Sequence, residues 1–266
     1  AVVGLSLAFF AYNKGLPLTI RSAFYPLLGE KVWGGVGHVI DVIAVIATIF
    51  GLATSLGFGA QQATGGLNFL FGIPNTLMTQ IVVICAVTAV AIISVARGLE
   101  GGVKLLSNVN MIIAGGLALF IVIVGNTGTI FAAMGSYFLN YVENIIPLSN
   151  WIGRDDETFY HGWTVFYWAW WISWSPFVGM FIARVSRGRT VREFVVAVLL
   201  VPTVVSLVWM SIFGGSALEQ VENGVGSLAN GITDSSLAMF QMFASLPLTS
   251  LTSFVGIILV LVFFVT

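Results

Sequence analysis

Long stretches of this chain are apolar on every side, and they leave few folds open to it. The hydrocarbon core of a bilayer takes about 20 apolar residues per helix. Runs of that kind lie at 39–60, 76–96, 109–125, 162–183 and 194–214, with two shorter ones at about 1–12 and 250–266. A membrane barrel strand alternates every second residue, and Val82, Val83, Ile84, Cys85, Ala86 and Val87 do not. The spans therefore read as helices. Composition closes the other routes, because only 8% of the residues are charged, against roughly 25% in a soluble domain. Ten Lys and Arg with eleven Asp and Glu cannot clothe a water-soluble fold of 266 residues. With 58% hydrophobic residues, disorder is excluded as well. A net charge of −1 lacks the basic excess that a nucleic-acid partner requires. The single Cys85 rules out a disulfide framework. The fold class is an all-α integral membrane protein.

Charge orients it. With loops on alternate sides, one side holds 13–38, 97–108 and 184–193. It carries Lys14, Arg21, Lys31, Arg97, Lys104, Arg184, Arg187, Arg189 and Arg192, nine of the ten basic residues. The other side holds 61–75, 126–161 and 215–249, with Arg154 as its one basic residue. Excess Lys and Arg mark cytoplasmic loops, so the first set faces the cytoplasm. Within 126–161, Ile130, Met134, Phe138, Tyr141, Val142 and Ile145 recur at helical spacing. They predict an amphipathic helix over about 130–146 in the outer interface. Ala1 opens directly into an apolar run, and 256–266 still lies in one. The chain is therefore expected to be part of a longer protein, its ends falling inside spans.

The span at 162–183 concentrates the unusual chemistry. Five of the eight tryptophans, Trp163, Trp168, Trp170, Trp171 and Trp174, lie within twelve positions. At 3.6 residues per turn, Trp163, Tyr167, Trp170, Trp174 and Phe177 make one stripe, with Trp171 on its flank. Such a stripe packs against neighbouring helices or forms an aromatic cage for a cation, and the pattern alone fits both. A quaternary ammonium has no N–H to donate, so acceptor groups cannot select it. Ring faces can, at about 0.5–2 kcal/mol each. No Asp or Glu lies in this span. Pro176 cannot donate to the carbonyl of Ile172. That predicts either a helix break lining a cavity, flanked by Ser173 and Ser175, or a kink packed against a neighbour. Further on, Gly188 is placed to end this helix, with Thr190 and Glu193 as the capping box of the next.

The run from Trp163 to Phe194, WTVFYWAWWISWSPFVGMFIARVSRGRTVREF, resembles the defining motif of the betaine/choline/carnitine transporter (BCCT) family. The loop Gly15–Pro26, GLPLTIRSAFYP, is similar too, as are Leu105–Met111 and Ser211–Gly215. The resemblance covers essentially the whole chain. It implies a LeuT-type inverted-repeat fold of which this chain is about spans 4 to 10 of 12, with no cofactor and no enzymatic chemistry. It implies a secondary active transporter that takes up glycine betaine, choline or carnitine by alternating access, driven by Na⁺ or H⁺. A homotrimer in the plasma membrane, a bacterial inner membrane, is implied as well. By the same likeness the substrate site falls on Trp170, Trp171, Trp174 and Phe177. One ion site falls on Thr48 and Phe177, and the other on Phe263 and Thr266.

One departure bears on the ion. Sodium-coupled members carry a second threonine one turn after the position of Thr48, and here that residue is Leu52, which opens proton coupling. A hydroxyl bonded back to its own helix is the competing role for Thr48. His38 and Asp41 read either as a proton relay or as a solvated or capping pair at a helix start. His161 beside Asp155, Asp156 and Glu157 has metal-ligand residue types without ligand spacing. The alternative to a transporter is a transport-inactive sensor of ammonium compounds, or a channel, on the same scaffold.

Overall fold

The computed structural model describes residues 1–97, 102–150, 152, 153, 155–232 and 234–266. Arg154, the outer basic residue, lies outside them, as does part of the 97–108 loop. All regular structure among the described residues is helical: α1 (Val2–Ala8), α2 (Tyr25–Leu28), α3 (Gly35–Phe71), α4 (Leu77–Ala96), α5 (Lys104–Val124), α6 (Thr127–Ser149), α7 (Glu157–Phe159), α8 (Phe166–Val185), α9 (Val191–Trp209), α10 (Gly215–Glu222), α11 (Ala238–Ala244) and α12 (Thr249–Val265). Among the described residues four runs are long and apolar enough to cross a bilayer: α3, α4, α5 and the continuous stretch Val191–Glu222. The chain is a multi-pass membrane protein. It sorts into two compact units, residues 1–54 with 146–205 and residues 55–145 with 206–266.

In the first unit, α1 crosses α8 at two glycines. A methyl on Gly179 would meet Val3 Cγ1 at 2.6 Å and the Gly4 nitrogen at 3.3 Å. Without side chains at that point the two backbones approach closely, and small residues hold membrane helices together by this kind of packing. The basic loop after α1 folds onto the start of α3. Arg21 donates through Nε to Asp41 Oδ2 at 2.5 Å and through its backbone nitrogen to Asp41 Oδ1 at 3.1 Å. Its Nη2 lies 3.1 Å from His38 Nδ1. The pair sits at the start of α3 with His38 exposed, and both side chains share a guanidinium from the preceding loop.

In the second unit, α12 packs on α4, α5 and α11. The core is Ile121, Phe240, Met242, Phe243 and Ile257 with their neighbours. The span at 39–60 is part of a 37-residue helix, and the segment 61–75 placed in a loop is helical as far as Phe71. Gln61, Gln62 and Thr64 lie within the helix without breaking it. Thr64 Oγ1 donates to Ala60 O and to Asn75 Oδ1, each at 2.8 Å. The helix stops only at Gly72, whose φ of +67° is open to glycine. Its glycines make room on the way: a side chain on Gly66 would run into Phe240 and Ile257, and one on Gly59 into Phe264. In the 215–249 connection, α11 is buried through Phe240, Met242 and Phe243. The amphipathic segment at 130–146 falls within α6, whose Ile130 is buried. Most of its remaining apolar residues are exposed, Phe138, Tyr141 and Ile146 among them.

Candidate functional site on the aromatic helix

A π-helical turn, Tyr160–Val165, leads into α8. Rings of the aromatic stripe meet one another along the helix. Trp163 stacks on Tyr167 at 5.8 Å between centroids, and Tyr167 tilts against Trp170 at 5.4 Å. Further along, Trp174 meets Phe177 edge-on at 5.8 Å. Offset and edge-to-face pairings of this kind suit the ring quadrupole and fix ring orientation. Trp170 and Trp174 are half-buried. Trp171 is turned outward at 72% exposure, and Phe177 is exposed at 51%. On a helix Trp171 stands about 100° from Trp170 and about 60° from Trp174, which carries it off the stripe.

Trp174 sits where α8 touches α3, and the contact depends on a missing side chain. A methyl on Gly51 would lie 2.6 Å from Ser173 Oγ and 2.9 Å from Trp174 Cδ1. The indole edge therefore lies against α3 backbone. Thr48, three residues earlier on α3, donates its hydroxyl hydrogen to Ala44 O at 2.8 Å. That is the self-bonded role, and it leaves the oxygen lone pairs of Thr48 turned away from the bond. Leu52 brings no oxygen. Phe263 and Thr266 belong to the second unit. Thr266 Oγ1 donates to Val262 O and Phe263 O at 3.2 Å each, and Phe263 is 64% exposed.

The expectation of an unpaired carbonyl at Ile172 is corrected. α8 runs unbroken through Pro176, and Ser175 Oγ donates to Ile172 O at 2.7 Å. The hydroxyl one position before the proline supplies the hydrogen bond that the proline nitrogen cannot. Ser173 Oγ donates likewise to Trp170 O at 2.6 Å. The carbonyls beneath the tryptophans are thus satisfied from within the helix. Ser175→Ala is expected to lower the melting temperature of the detergent-solubilised full-length protein, at a cost of about 1 kcal/mol. Ser175→Thr keeps the hydroxyl and is expected to restore stability, whereas equal loss in both variants would remove this role.

No Asp, Glu, Lys or His falls between Phe166 and Val185, and Arg184 sits in the last turn. Among the described residues no three His, Cys, Asp or Glu side chains gather as metal ligands. His161 packs edge-on against Tyr160 at 5.3 Å. In the basic loop, the Tyr25 hydroxyl donates to Glu30 at 2.7 Å, and the carboxylate holds the phenol above its ordinary pKa by that bond and by its charge. At the end of α8, Gly188 takes a φ of +82°. Glu193 and Thr190 cap α9 reciprocally, with Thr190 N donating to Glu193 Oε2 at 2.8 Å and Glu193 N to Thr190 Oγ1 at 3.3 Å.

The aromatic stripe on α8 carries no Asp, Glu, Lys or His between Phe166 and Val185. The family model described as BCCT, betaine/carnitine/choline family transporter, matches residues 1–266. The chain belongs to that family. Glycine betaine transporter 1 of Vibrio parahaemolyticus is 63% identical over 269 residues, covering all of this chain and 51% of that protein. A glycine betaine/proline/choline/ectoine transporter of the same species is 62% identical over 270 residues, covering all of this chain and 47% of that protein. The glycine betaine transporter OpuD of Bacillus subtilis is 47% identical over 269 residues, again covering all of this chain and 52% of its own length. The chain spans about half the length of these relatives.

Proposed function

We propose that the full-length protein takes up a trimethylammonium osmolyte or its precursor, with glycine betaine first among betaine, choline and carnitine, by ion-coupled alternating access. The observation that carries this is the half-buried pair Trp170 and Trp174 on a helix whose spanning part has no carboxylate. Ring faces are then the means left for stabilising a methylated cation, at up to about 2 kcal/mol per desolvated face. Trp171 and Phe177 offer further rings to segments outside these 266 residues. Both Vibrio relatives and OpuD carry glycine betaine in their names, which supports the same substrate class here.

In this reading the chain supplies about spans four to ten of a twelve-span inverted-repeat scaffold. The protein acts as a homotrimer in a bacterial inner membrane, and one helix bundle rocks against the rest. The coupling ion is Na⁺ or H⁺. Thr48 has lone pairs to offer a cation, and Phe177 a ring, but Leu52 withholds a second hydroxyl. Uptake in proteoliposomes tests the proposal. Labelled betaine is expected to accumulate above the outside concentration only under a Na⁺ or pH gradient, and the gradient that drives it names the ion. Flux that merely equilibrates would make the protein a channel, and binding without flux would make it a sensor.

A further inference from the structure

Two sets of contacts in the first unit hold different partners together, and residues 13–16 join them. One set ties α1 to α8 and the start of α9. A methyl on Gly4 would lie 3.3 Å from Gly179 O, from Ile182 Cγ2 and from Phe194 Cζ alike, so the backbones meet with no side chain between them to give way. Past the end of α8 the Arg187 guanidinium stands 5.9 Å from the Tyr12 ring, a cation–aromatic contact that joins the two helix ends. The other set ties the segment 17–33 to the start of α3. Ser22 is buried and donates to Pro17 O at 2.6 Å. Arg21 grips Asp41 through side chain and backbone, and a methyl on Gly37 would run into Val32 O. The 3-10 turn Ile20–Phe24 touches α1, but Arg21 within it is bonded to α3.

The join has the features of a place that bends. α1 ends in a π turn, Phe9–Asn13, a geometry that gathers at functional positions. Gly15 then takes a φ of +69°, with nothing within 4 Å of where its Cβ would stand. Leu16 N donates to Phe10 O at 3.0 Å across it. Glycine passes between positive and negative φ at little cost, whereas a β-branched residue resists the left-handed region. The contact that matters for the aromatic site lies between the two sets, where Gly51 of α3 meets Ser173 and Trp174 of α8. If Trp174 shifts along α3, α1 follows α8 through the glycine seam and 17–33 stays with α3 through the arginine clamp. Residues 13–16 must then absorb the change, as hinge residues at element ends do. We infer that Gly15 is the pivot on which α1 and α8 move as one against α3, with the Arg21–Asp41 pair holding the far side of the pivot still. The purpose of that motion rests on the transport reading above, but the motion itself is observable without transport.

Pulsed electron paramagnetic resonance on the full-length protein, in a Cys85→Ser background with pairs of spin labels and with and without betaine, tests it. Arg184→Cys with Lys31→Cys reads across the pivot, and Arg184→Cys with Asn13→Cys reads within the α1–α8 body; all three side chains are exposed. The cross-pivot distance is expected to take two values, and Gly15→Val to deplete one of them about tenfold. Gly15→Asn, which tolerates left-handed backbone, is expected to keep both. The within-body distance is expected to hold one value throughout. In proteoliposomes Gly15→Val is expected to lower betaine turnover about tenfold at an unchanged melting temperature, because the protein changes conformer and does not unfold. A single cross-pivot distance in the protein with its native Gly15 overturns the inference, and so does a within-body distance that varies as much. A Gly15→Val protein that melts lower yet transports at the wild-type rate overturns it in favour of a static helix stop. Two cross-pivot distances in a protein that takes up no betaine under any gradient would uphold the pivot and sink the transport reading instead.

Discussion

Replacing Trp174 by leucine in the full-length protein is expected to weaken betaine uptake affinity by about thirtyfold, the equivalent of one desolvated ring face at about 2 kcal/mol. Leucine suits a helix as well as tryptophan does and keeps the position apolar, so membrane expression is expected to hold. The effect should also be graded along α8. Trp170, half-buried and in ring contact with Tyr167, is expected to behave like Trp174. Trp168, at 67% exposure, is expected to tolerate leucine. Unchanged affinity in Trp174→Leu would remove that ring from the site.

The second large effect comes from the helix that Trp174 leans on. Gly51→Ala places a methyl 2.6 Å from Ser173 Oγ and 2.9 Å from Trp174 Cδ1, and the serine hydroxyl is already fixed on Trp170 O. Something has to move, and forced packing of this kind costs about 1–3 kcal/mol. The part of that cost taken by Trp174 appears as displacement of the indole, so uptake affinity is expected to fall roughly tenfold. Ser173→Ala removes the nearest obstructing atom, and in combination with Gly51→Ala it is expected to recover part of the loss. A double variant no better than the single one would indicate that position 51 acts through general stability and not through the indole.

The aromatic stripe was legible from sequence because helical periodicity is local: Trp163, Tyr167 and Trp170 meet as their spacing requires. The capping box of α9 was legible for the same reason. What periodicity does not carry is orientation about the helix axis, and Trp171, grouped with Trp174 by motif, is the outward-facing member. The fate of the Ile172 carbonyl was half legible. Pro176 announces the missing donor, but the hydroxyl that replaces it depends on a rotamer of Ser175. Gly51 carried no mark, since a glycine in a span reads as neutral until the ring beside it is known. The Arg21 clamp on Asp41 joins residues twenty positions apart, beyond the reach of any local pattern. The length of α3 is not legible locally, since Gln61, Gln62 and Thr64 have the polarity of a loop, whereas Thr64 donates its hydroxyl to Ala60 O on the helix itself.

With the substrate proposed above, ring faces and not shape alone are expected to select it. Glycine betaine and its carbon isostere, with a quaternary carbon in place of the nitrogen, share size and carboxylate and differ in the positive charge. Their competition for uptake by the full-length protein is therefore the most direct measurement. The isostere is expected to compete about thirtyfold more weakly than betaine, with the gap closing in Trp174→Leu. Equal competition in the wild-type protein would contradict the cation–aromatic account and leave Trp170 and Trp174 as packing residues.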